Sequence, residues 1–140
     1  MNQNGHRYSQ VQIQTATKGQ LILLLYQGAI MAMKKAILLL EKKDMEGKGN
    51  QLIKAQDIIL ELLYALDQKM LDRGDELALN LRRLYLYAYR RLVHANLHLD
   101  PEAVRGVIEI MAGLQEAWEG AVASELPEEV VPSENLTLTG

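Results

Sequence analysis

The 140 residues include no cysteine, which excludes disulfides and thiolate metal sites, and a chain this short buries about 70% of its unfolded surface, enough for one core and too little for two. Hydrophobic residues make up 49% of the chain but aromatic ones only 5%, with no phenylalanine, so the apolar mass is Leu, Ile, Ala and Met, a mix that favours helix over strand. The formal charge is −3, and four of the 18 acids, Glu125, Glu128, Glu129 and Glu134, follow residue 123 with no base among them, leaving a nearly neutral body that lacks the concentrated basic face of a nucleic-acid binder.

In chain order, Met1 to Gln10 is polar and aromatic instead of basic then apolar, so it does not read as a secretory signal. Tyr8, Val11 and Ile13 place spaced apolar groups in an arm, residues 1–16, that is too short to form a core and needs somewhere to dock. Thr17 and Gln20, just ahead of Leu21, match a capping box, which predicts a helix from there to about Lys43. The longest uninterrupted apolar run, Leu21 to Tyr26, is far short of the ~20 residues of a bilayer span, so membrane insertion is not expected and the cytoplasm is the default address. The glycines of Asp44 to Asn50 read as a turn, and Asn50 as the cap of a second helix through Leu71. Gly74 ends that helix and Asp75 caps a third, which runs to about Leu99. Asp100-Pro101-Glu102 combines a cap, a proline where its missing N–H is harmless, and an acid at the positive helix end. The fourth helix is expected to reach Ala123. Residues 124–140, with two prolines and four glutamates, are expected to be a disordered acidic tail. The result is an all-α fold, an antiparallel up-and-down four-helix bundle over residues 17–123.

The apolar faces are wider than such a bundle needs. From Leu21 to Met33 only Gln27 interrupts apolar or small residues, and Tyr85 and Tyr89 share a face that Tyr87 opposes. Surplus apolar surface of this kind marks a partner site, and the expected partner is helical or extended and apolar. Catalytic signatures are absent: there is no P-loop, G-x-G-x-x-G or G-x-S-x-G pattern, and no cofactor is expected. His94 and His98 stand at i and i+4, a spacing that binds zinc, but Ala95 occupies the place of a catalytic glutamate, so they read better as groups at a helix's negative end. Arg82, Arg83, Arg90 and Arg91 form the most basic stretch; a solvated face is the usual meaning, with acidic groups on a partner or the chain's own tail as counterparts.

Three runs in order, Y-S-Q-V-Q-I-Q-T-A from Tyr8, L-I-L-L-L-Y-Q-G-A from Leu21 and N-L-R-R-L-Y-L-Y-A-Y-R-R-L-V-H-A-N from Asn80, followed by Trp118, resemble the flagellin export chaperone family over about residues 8–118. The resemblance implies a non-enzymatic cytoplasmic four-helix bundle that binds the disordered carboxy-terminal segment of flagellin, prevents its early polymerisation and delivers it to the flagellar type III export gate. It points to Leu25, Tyr26, Leu81, Leu84, Tyr85 and Tyr87 as partner contacts, beside Tyr8, Val11 and Ile13 of the arm. Weak self-association without client remains open, and the alternative reading is a small helical adaptor or anti-sigma-type regulatory protein.

Overall fold

The computed structural model describes residues 17–139, with side chains described as far as Ala123. The arm and its Tyr8, Val11 and Ile13 lie outside the described residues. Among the described residues five helices follow one another: α1 Lys18–Glu41, α2 Met45–Tyr64, the short α3 Gln68–Asp72, α4 Glu76–His98 and α5 Pro101–Thr139. Helix α1 packs on α2 and α5, and α4 packs on the same two, so the four long helices close a ring with α1 and α4 on one diagonal.

The helix starts follow the chemistry of their caps. Thr17 Oγ1 accepts from the Gln20 amide at 3.1 Å while the Thr17 amide donates to Gln20 Oε1 at 2.9 Å, completing the expected capping box. Three later junctions repeat one device. A residue at positive φ, Lys43, Gly74 or Leu99, turns the chain, and the aspartate after it, Asp44, Asp75 or Asp100, donates its amide back to the finished helix, to Leu39, Met70 and Ala95 respectively. The same aspartates then cap the next helix, their carboxylates accepting from Gly47, Ala78 and Ala103. One residue thus ends one helix and starts another, which makes these turns tight.

Two sequence expectations are corrected here. The second helix is capped by Asp44, not Asn50: Gly47 belongs to its first turn, where a Cβ would lie 2.6 Å from Asp44 Oδ2, so glycine permits the cap instead of breaking the helix. That helix also ends at Tyr64 rather than Leu71, because Asp67 accepts from the Lys69 amide at 2.8 Å and starts a separate turn. Lys48, read as turn material, is buried in α2, and its ammonium reaches Asn96 Oδ1 at 2.5 Å and the Asn96 carbonyl at 3.3 Å, satisfying an orphan acceptor in the last turns of α4.

The core runs along the bundle axis through Tyr26, Met33, Leu52, Ile59, Leu92 and Met111, with Ala29, Ala36, Ala55, Ala88 and Ala95 letting the helices approach closely. Gly28 serves the same end, since Ile58 Cδ1 would lie 3.3 Å from a Cβ there. Helix α1 is long and apolar enough by composition to cross a membrane, more so than its longest apolar run suggested; in the bundle its Tyr26, Ala29, Met33 and Ala36 face the core.

Helix α5 passes the expected boundary at Ala123 and continues to Thr139, helical backbone where composition led us to expect a disordered tail. Gly120, three residues before Ala123, does not stop it. Because the last described member of the core cluster is Trp118, cutting the chain after Ala123 is expected to leave the calorimetric melting temperature nearly unchanged. A cooperative loss of helix would instead show that Leu126 or Val130 packs on the bundle.

Candidate functional site

At the end of the bundle where α1 begins, the apolar faces part. Ile22 of α1, Leu62 of α2, Leu66 in the break that follows it, Met70 of α3, Leu77, Leu81 and Tyr85 of α4, and Trp118 of α5 surround an open cavity of about 260 Å³. Its polar rim is Lys18 and Asp67. The cavity exists because α2 stops at Tyr64 and the short α3 swings away before α4 starts. A side chain the size of leucine or methionine fits it.

Behind the cavity, Tyr26 and Tyr85 join their hydroxyls at 2.5 Å across the α1–α4 diagonal, with rings tilted at 51°. Burial raises both phenols above their ordinary value; the shared hydrogen bond pulls Tyr26 partly back down and pushes Tyr85 further up, and the nearby Trp118 opposes the rise at both. Both tyrosines therefore stay neutral, and their polar atoms satisfy each other inside an apolar core.

The residues expected to touch a partner divide by this geometry. Tyr26, at 0% exposure, and Tyr85, at 2%, are core residues; Tyr85 and the buried Leu81 reach a partner only as the wall of the cavity. Leu25 is half-buried against the core and Leu84 is half-buried, while Tyr87 stands half-exposed on the outer side of α4, as its opposition to Tyr85 predicts. Several exposed apolar residues escaped the sequence reading: Tyr64 at 77%, Leu97 at 74%, Leu77 at 65%, and Ile53 and Val93. The available signal was an apolar residue on the face opposite its own helix's buried stripe, as at Tyr64 and Leu97.

His94 and His98 stack at 4.6 Å between ring centres, and His94 Nε2 meets Asp100 Oδ2 at 3.3 Å. No cluster of three metal-ligating His, Cys, Asp or Glu side chains occurs among the described residues. The Ala103 amide, and then His94, hold the Asp100 carboxyl below the usual 3.8. A depressed carboxyl stabilises the fold above its unfolded value and loses that contribution as pH falls through the folded one, so the Asp100 junction weakens only in strong acid. Changing both histidines to glutamine is expected to move the melting temperature by no more than a few degrees at neutral pH, with partner binding unchanged in calorimetry. Zinc bound stoichiometrically after dialysis would contradict this.

Residues 1–125 match the family profile described as Flagellar protein FliS. The chain belongs to the FliS family. Its relatives include the flagellar secretion chaperone FliS of Bacillus subtilis (strain 168), 39% identical over 118 residues that cover 84% of this chain and 85% of that protein. The flagellar secretion chaperone FliS of Salmonella typhimurium is 41% identical over 116 residues, covering 79% of this chain and 84% of the relative. The Escherichia coli (strain K12) protein of the same name is 36% identical over 113 residues, covering 80% and 81%. These FliS relatives are named as chaperones, not as enzymes.

Proposed function

We propose that this FliS-family protein is a cytoplasmic export chaperone that binds the carboxy-terminal segment of newly made flagellin, keeps it from polymerising, and presents it to an export-gate component of the flagellar type III apparatus. The observation that carries this reading is the open cavity bounded by Ile22, Leu66, Met70, Leu77 and Trp118. A bundle with no client has no use for such surface. A disordered client loses entropy on binding, and a wrapped interface with several anchor points offsets that loss. The arm joins the bundle at Thr17, beside Lys18 and Ile22 of the cavity. We assign it the role of a lid, with Tyr8, Val11 and Ile13 covering this end until the client arrives.

Calorimetric titration of the full chain with intact flagellin, and with flagellin cut short at its carboxy terminus, tests the reading. Stoichiometric binding of the intact protein and none of the shortened one is expected. Equal binding of both would reject the carboxy-terminal segment as the ligand.

A further inference from the structure

Helix α4 carries four arginines, Arg82, Arg83, Arg90 and Arg91, against a single acid, Glu76. Arg83 bonds Asn80 Oδ1 at 2.7 Å, and among the described residues none of the four meets a carboxylate. Arg105 on α5 shows the contrast: it pairs with Glu102 and reaches Glu41 at 3.7 Å. At 100° per residue, Arg83, Tyr87, Arg90 and Arg91 stand on one outward arc of α4, opposite the buried stripe of Leu81, Tyr85 and Leu92.

Beside this arc lies a second groove, about 140 Å³, between α4 and α5, lined among others by Tyr87, Arg91, Gly106 and Ile110. It is open because α5 presents glycine toward it: a Cβ on Gly106, or on the exposed Gly113 a further two turns along, would meet nothing within 4 Å. Glu102, which itself lines this groove, is paired with Arg105, and Asp100 meets His94. Arg91 therefore borders a mixed polar and apolar slot the size of one side chain and, among the described residues, forms no ion pair.

We propose that the outer face of α4, with the groove it forms against α5, docks an acidic amphipathic helix of a partner protein. Carboxylates spaced seven residues apart on such a helix match Arg83 and Arg90, roughly 10 Å apart along α4. An apolar residue of the same helix enters the groove between Tyr87 and Ile110, and a neighbouring acid meets Arg91. The helix approaches closely because Gly106 holds nothing in its way. Charge complementarity selects this occupant: a cationic arc on a chain of net charge −3 is a local feature, and it is too small to track a nucleic-acid backbone. The site is separate from the cavity at Trp118 and does not depend on what fills that cavity.

The test is calorimetric titration of the full chain with a synthetic helical peptide of repeated Glu-Ala-Leu-Ala-Glu-Glu-Leu, and with the same peptide carrying lysine at every glutamate. The acidic peptide is expected to bind and the basic one not. Arg90→Glu with Arg91→Glu should weaken binding at least tenfold, and Gly106→Leu, which fills the groove from an open position, should do the same while its helical signal and melting curve stay native. Absence of binding, equal binding of the basic peptide, or indifference to both variants would overturn the proposal. Displacement of the peptide by a DNA duplex would assign the face to nucleic acid instead. A tenfold gain in affinity on removing residues 124–140 would make the chain's own acidic tail the occupant and overturn the partner assignment.

Discussion

Leu92→Ala is expected to lower the stability of the bundle by about 3 kcal/mol, a fall in melting temperature on the order of 10 °C, measurable by urea and thermal unfolding. Leu92 is fully buried in the core, and its neighbours one turn away on α4 are Ala88 and Ala95. Alanines have no side chain with which to lean into the space a leucine vacates, so the cavity persists and its cost adds to the lost transfer energy. Leu97→Ala on the same helix supplies the comparison, since Leu97 is 74% exposed. Its stability should stay within about 0.5 kcal/mol of the parent. Similar losses at both positions would mean that the described core is not where the stability resides.

Removing residues 1–14 is expected to tighten about tenfold the binding of a flagellin peptide confined to the cavity end. A lid favoured by ~1.4 kcal/mol leaves about one molecule in ten open, and apparent affinity falls by that fraction. If the arm covers this end as proposed, the same truncation uncovers Ile22 and Leu66, and the free protein should self-associate more readily in sedimentation experiments. Weaker peptide binding to the truncated chain would reject the lid and make Tyr8, Val11 and Ile13 direct contacts.

How far the fold could be read in advance depended on how local its determinants are. The Thr17 box, the Asp75 cap and the Asp100-Pro101 junction are written within a few neighbouring residues, and each falls where expected. The start of α2 was misplaced because two glycines normally weaken a helix. What keeps this helix continuous is tertiary: Lys48 is held by Asn96, 48 residues away in sequence. The break at Ala65 to Asp67 was missed although Asp67 is a fair cap, since the apolar pattern runs through it. Helical spacing separated Tyr87 from Tyr85 correctly. It had no means of showing that Tyr26 and Tyr85 satisfy each other's hydroxyls and so belong to the interior, because that bond joins residues 59 apart. The cavity was illegible for a similar reason, being made by the ends of elements that meet only after folding.

Trp118 is the only tryptophan in the chain, and it lines the cavity while packing, half-buried, against the core that holds the paired tyrosines. Its emission therefore comes from one place and reads the hydration of that place alone. Water in an open cavity should draw the spectrum to longer wavelength, and an apolar side chain in its stead should return it to shorter wavelength. The protein carries its own optical gauge of occupancy, so the opening and filling of this end can be followed in time on the unlabelled chain.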